Sequence, residues 1–199
     1  TLAKNSFILV NFTVTGVANN TYNVSADFAS NSPATGSATN PRGVSVKSPA
    51  ALSASISAAP SAVYDGETIT VTMAVSNTGT RAAANVTPSS LTVNVINGTA
   101  SATLLTGPSP TIANISGLGS QNFTWTYNAS SGTDGGNITF SGNASGKDNR
   151  TGNTVTSNHA TSNVVEVRLK GTNLSIWDET DAGLPYANMT KYDGDAVAF

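Results

Sequence analysis

The stretch from Asn122 to Asn128 reads NFTWTYN, with Phe123, Trp125 and Tyr127 at every second position and Asn122, Thr124, Thr126 and Asn128 between them. Successive side chains of an extended strand point to opposite faces. This spacing therefore sets three aromatic rings on one face and only hydroxyl and carboxamide groups on the other. The stretch predicts a strand with a core side and a wet side. Working outward, the runs LSASISAA, TITVTMAVS, SLTVNVI, SATLL, TIANI, GNITFSG and NVVEVRL are short and alternate in the same manner. Gly, Asn, Asp and Pro separate them, in turns such as NTGT and TDGGN. Seven or eight strands in about 120 residues, with no window showing a 3.6-residue apolar period, predict an all-β antiparallel sandwich.

Composition agrees with that class. Of 199 residues only 10% are charged, the net charge is -2, and there is one His and no Cys. An apolar fraction of 38% is modest, but strands with a single buried face need no more. The nine Lys and Arg are scattered, which leaves no basic footprint for nucleic acid. No apolar run reaches the roughly 18 residues of a membrane span, and the N-terminus lacks the basic-then-apolar layout of a signal peptide. An exported protein would carry its signal and any anchor outside this stretch.

Asparagine says more about compartment than the missing cysteine does. Thirteen of 22 Asn open an Asn-x-Ser/Thr acceptor: Asn11, Asn19, Asn23, Asn85, Asn97, Asn114, Asn122, Asn128, Asn137, Asn143, Asn149, Asn173 and Asn188. Ser and Thr number 53, so random placement would give about six. The excess points to a heavily N-glycosylated extracellular protein. Strand phase supports it: Asn122 and Asn128 fall on the wet side of NFTWTYN, Asn11 opposes Ile8, Val10, Phe12 and Val14, and Asn137 with Thr139 opposes Ile138 and Phe140. Asn85 is the weakest acceptor, because Pro88 follows its Thr87.

Internal similarity suggests a tandem frame. YDGETITV at Tyr64 is answered by YDGDAVAF at Tyr192, NFTV at Asn11 by NFTW at Asn122, and VSVKSPAALSAS from Val44 by VEVRLKGTNLSI from Val165. These offsets predict tandem Ig-like antiparallel β-sandwich domains, one complete and two partial. Residues 1-50 would be the C-terminal strands of a preceding repeat, 51-170 the complete sandwich, and 171-199 the first strands of a following one. The alternative is a subunit that shares strands with its neighbours.

YDGETITVTMAVSNTGTRAAANVT followed by IANISGLGSQNFTWTYNAS resembles the cell-adhesion-related, CARDB-like Ig sandwich of archaeal and bacterial cell-surface glycoproteins. The resemblance covers residues 51 to 170 well and the flanks in part. It implies Gly66 and Gly79 in turns, Trp125 in the core, and a stalk, filament or S-layer coat of repeated sandwiches, with no catalytic residues.

Chemistry finds little to work with. His159 lies in the polar stretch TGNTVTSNHATSN with no acid or nucleophile arranged around it. One His and no Cys leave almost no ligands for zinc or other transition metals. Calcium is the open case: WDETDAG brings Asp178, Glu179 and Asp181 close together, and carboxylate oxygens suit that ion, although the spacing is not that of a 12-residue calcium loop. The pairs Asp65 and Glu67, and Asp193 and Asp195, straddle turn glycines and read as turn residues. Lys47 and Lys170 each end an alternating strand. A crosslink from a buried lysine to Asn or Asp is conceivable there, and a solvated lysine is the ordinary outcome. The reading that follows is a non-enzymatic structural component of an extracellular surface assembly, meeting copies of itself or other surface proteins through strand or end-to-end contacts. An adhesin or carbohydrate-binding module is the alternative.

Overall fold

The computed structural model describes residues 42-171 without interruption and, before them, residues 13, 15, 16, 18, 20-24, 27, 28, 36 and 37. The chain divides into two units, Thr1–Pro49 and Ala50–Phe199. In the first, β1 (Asn20–Val24) pairs antiparallel with β4 (Arg42–Val46), and β2 (Asp27–Phe28) with β3 (Gly36–Ser37).

The second unit holds β5 (Leu52–Ala59), β6 (Ala62–Tyr64), β7 (Thr68–Asn77), β8 (Ala83–Pro88), β9 (Thr92–Gly98), β10 (Ser101–Ser109) and β11 (Ala113–Ile115). It continues with β12 (Ser120–Ser130), β13 (Gly136–Gly142), β14 (Ala144–Asp148), β15 (Thr154–Thr156), β16 (Ala160–Thr161) and β17 (Val165–Arg168). No helix occurs among the described residues, and none is long and apolar enough to cross a membrane.

These strands build an antiparallel β-sandwich. One sheet runs β10-β12-β7-β5. In the other layer β13 and β14 follow one another through Asn143, with β9 and β8 on one side and β17, β16 and β15 on the other. Taking β8 with β9, β13 with β14, and β15 to β17 as three interrupted strands gives the order of an immunoglobulin-type sandwich. β6 crosses to this second layer and pairs parallel to β17, Val63 opposite Val167.

The alternation read in the sequence is the alternation that packs. In β12, Phe123, Trp125 and Tyr127 are buried and sit opposite Met73, Val71 and Ile69 of β7. From the facing layer, Ile138 and Phe140 of β13 and Val165 and Val167 of β17 close on them in one core. The Tyr127 and Phe140 rings meet at 4.8 Å, tilted by 51°. Each large side chain removed from water in this way contributes about 1.5–3 kcal/mol. Thr139 shares Asn137's outward face yet is 5% exposed. β13 is a central strand, with β9 on one flank, Asn94 opposite Thr139, and β16 and β17 on the other.

Two turns explain their glycines. Gly66 has φ +80° and its N–H donates to Ala129 O, closing the Tyr64 to Glu67 turn onto β12. Gly98 has φ +71°, and a Cβ there would lie 2.1 Å from the Gly135 carbonyl oxygen, so both conformation and space require glycine.

Candidate functional site

The densest set of specific polar contacts lies in a segment the sequence presents as a featureless polar stretch. Thr156-Ser157-Asn158 and Thr161-Ser162-Asn163 repeat the same tripeptide five residues apart. Each copy makes the same clip. The Ser157 hydroxyl accepts the Ala144 N–H at 2.9 Å and donates to the Asn158 carbonyl at 2.8 Å. The Ser162 hydroxyl accepts the Phe140 N–H at 2.9 Å and donates to the Asn163 carbonyl at 2.7 Å.

Each asparagine then reaches to the other sheet. Asn158 Oδ1 accepts the Ala54 N–H at 2.9 Å, and its Nδ2 donates to the Ala54 carbonyl at 3.0 Å. Asn163 treats Ala58 identically, at 2.9 and 3.0 Å. A carboxamide has the donor and acceptor of a peptide unit. The two side chains therefore stand in for a neighbouring strand along the outer edge of β5. Together the clips tie β13 and β14 to β5 and seal that flank of the sandwich. What looked like a polar loop is a structural seam, interrupted by the short strands β15 and β16.

Two further buried polar groups fix the points where the chain enters and turns. Asp148, 1% exposed, accepts N–H donors from Ala50 at 2.8 Å, Thr151 at 2.9 Å and Arg150 at 3.0 Å, and the Thr151 hydroxyl at 3.1 Å. The Ala50 and Thr151 amides favour the ionised carboxylate over the opposing desolvation and hold it well below the usual carboxylate range. Asn77, equally buried, accepts from Ala51 and Gly79 and donates to the Arg81 and Ser116 carbonyls.

Nine of the thirteen glycan acceptors lie among the described residues, and none of the nine is buried. Asn23, Asn85, Asn97, Asn114, Asn122 and Asn149 are exposed, while Asn128, Asn137 and Asn143 are half-buried. Asn97 and Asn114 each use only Oδ1, accepting from Asn137 and Asn85 respectively, and Nδ2, the atom that a glycan would take, is not used in these bonds. Asn11, Asn19, Asn173 and Asn188 lie outside the described residues, as do the calcium candidates Asp178, Glu179 and Asp181 and the pair Asp193 and Asp195.

His159 is exposed between β15 and β16. Lys47 and Lys170 are exposed, so neither is a buried amine set against a carboxamide. Asp65 accepts the Ser131 N–H at 2.8 Å and Glu67 the Tyr64 N–H at 2.8 Å, which makes both turn residues. Among the described residues no group of three acidic or imidazole side chains could hold a metal ion. No protein-family model matches the chain, and no curated protein matches it.

Proposed function

We propose that this chain is a load-bearing structural element of an extracellular cell-surface assembly, a filament, coat or stalk of glycosylated β-sandwiches, and that its work is mechanical and not catalytic. The observation that carries this reading is the parallel pairing of β6 with β17. β17 is the last described strand of the sandwich, and β6 follows its first strand, β5, after Pro60 and Ser61; Glu166 N donates to Ser61 O at 2.9 Å and Asp65 N to Arg168 O at 3.0 Å.

Tension applied through the two ends of the unit meets β5 first, held by β7 and by the Ser-Asn clips; once β5 yields, the tension draws the parallel neighbours β6 and β17 in opposite directions along their length. Their cross-strand hydrogen bonds are then loaded sideways and must yield together. In a peeled antiparallel hairpin they would break one after another. The Ser-Asn clips add four bonds to the β5 backbone and a fifth from the Ser53 hydroxyl to Asn158 Oδ1, and Asp148 anchors Ala50. The excess of glycan acceptors, with none buried among those described, suits an exterior surface, and the CARDB-like motifs suit the same setting.

Single-molecule extension of the chain from its two ends tests the reading. The expected result is one cooperative rupture of the sandwich, releasing about 400 Å of chain at 3.3–3.6 Å per residue, with the rupture force lowered by Asn158→Ala plus Asn163→Ala. Gradual extension without a rupture peak would remove the mechanical argument. Forced unfolding reports the barrier and not the equilibrium stability, so the two can be separated.

A further inference from the structure

The two flanks of the sandwich are finished differently. The flank at β5 is sealed by the Ser-Asn clips. The opposite flank, where β9 and β10 are the edges of their sheets, is left open. Between these edges lies a groove of about 450 Å³, with Leu91 and Val93 on one wall, Ala102 and Leu104 on the other, and Trp125 and Tyr127 beneath.

An edge strand carries unpaired N–H and C=O groups, and proteins guard such edges with lysine, proline, bulges or inward charges. Here β9 and β10 contain no charged residue; β10 carries one proline, Pro108, at its far end, and β9 carries none. β9 carries one bulge, at Ile96, and β10 two, at Leu105 and between Thr106 and Ser109, where the register with β13 and β12 shifts. At the bulges the edges nevertheless present apolar residues to water: Ile96 is 57% exposed and Leu105 54%, beside Val95 and Leu104. Of the thirteen acceptors only Asn97, at the Gly98 end, stands on either strand.

The required occupant is an extended segment about seven residues long, uncharged, with apolar side chains at alternate positions to face the groove. The seven residues of β9 set that length at about 23 Å. The chain's own sequence supplies such a segment in Ile8 to Val14, with Ile8, Val10, Phe12 and Val14 in one phase, Leu9, Asn11 and Thr13 in the other, and no charged side chain between Lys4 and Asp27. We propose that the groove between β9 and β10 receives the Ile8 to Val14 segment of a second copy of this chain, which joins one of the open edges as an added strand. This rests on the reading of the chain as a unit of an assembly and names the contact by which copies would join.

The absence of cysteine makes a clean test on the full chain. One preparation carries Val10→Cys, a second Leu104→Cys, and a third, as control, Thr72→Cys on the outer face of β7. Leu104 is half exposed, so its replacement leaves the core intact. On mixing and mild oxidation, Val10→Cys should form a disulfide-linked pair with Leu104→Cys and not with Thr72→Cys. Leu104→Asp should reduce the self-association of the otherwise unaltered chain seen by light scattering. Three results would overturn the proposal. They are equal trapping at Leu104 and Thr72, unchanged association in Leu104→Asp, or closure of the disulfide inside a single chain when Val10→Cys and Leu104→Cys are combined at high dilution. The extension experiment loads other strands, so failure here leaves the mechanical reading standing.

Discussion

Replacing Asn163 by alanine tests whether the clips hold the sandwich together or merely decorate it. The substitution removes the two hydrogen bonds that reach β5, to the N–H and the carbonyl of Ala58 at 2.9 and 3.0 Å, together with a local, exposed one to the Val164 carbonyl at 3.2 Å. At about 1 kcal/mol net for each of the two bonds to β5, and little for the exposed local one, the loss is about 2 kcal/mol. Asn158→Ala should cost the same through Ala54. Their partners lie four residues apart on β5, about 13 Å at 3.3 Å per residue, and changes so separated generally add. The double variant should therefore lose about 4 kcal/mol, a large part of the 5–15 kcal/mol typical of a domain.

Asn163→Asp separates hydrogen bonding from shape. The carboxylate keeps an acceptor for the Ala58 N–H but turns a second oxygen toward the Ala58 carbonyl, so the ionised form is disfavoured and the carboxyl's folded pKa is raised. A raised folded pKa in the variant means that its deficit is full at neutral pH and shrinks as pH falls through that value, where the protonated acid can donate to Ala58 O. Urea unfolding followed by near-ultraviolet circular dichroism at several pH values measures all of this. A loss below about 0.5 kcal/mol in each alanine variant, half of one ordinary hydrogen bond, would mean that water replaces the carboxamides freely. The seam would then be incidental.

Trp125→Ala should destabilise the sandwich by about 3–5 kcal/mol in the same assay, since the ring is 1% exposed between the sheets and leaves a cavity. Asp148 has a depressed folded pKa, so its contribution is present above the unfolded value of about 3.9 and is lost as pH falls below it; in acid titrations of thermal stability, the gap between wild type and Asp148→Asn should narrow below about pH 4. Gly98→Ala should lower the melting temperature, because its Cβ would meet the Gly135 carbonyl at 2.1 Å. Intact-mass measurement of native protein before and after deglycosylation should show a large loss, mapping to most of the exposed acceptors; an unchanged mass would withdraw the main support for an extracellular setting.

The fold class was legible in the sequence because strand phase is a local property. Ile69, Val71, Met73 and Val75 of β7 and Phe123, Trp125 and Tyr127 of β12 alternate with small or polar residues, and a strand with one apolar face has only one way to bury it. The same phase kept Asn122 on the wet side. β8 and β14 were not legible: AANVTP and ASGKD offer mostly small side chains with no contrast between faces, and these segments are strands because Ala144 and Lys147 find ladder partners in Pro88 and Ala84. The clips escaped for a related reason. Asn158 and Asn163 bond to backbone 104 and 105 residues away, and a backbone partner leaves no mark on residue type. The repeated Thr-Ser-Asn was the one visible signal, and it reads as loop until β5 stands beside it. Asp148, likewise, looks like a turn acid beside Asn149 and Arg150 until Ala50 supplies its N–H from 98 residues before. Alternation specifies which face of a strand is buried. Which backbone groups are left over at a sheet edge, and which side chains reach them, depends on the packing of the two sheets, and only the tertiary structure decides it.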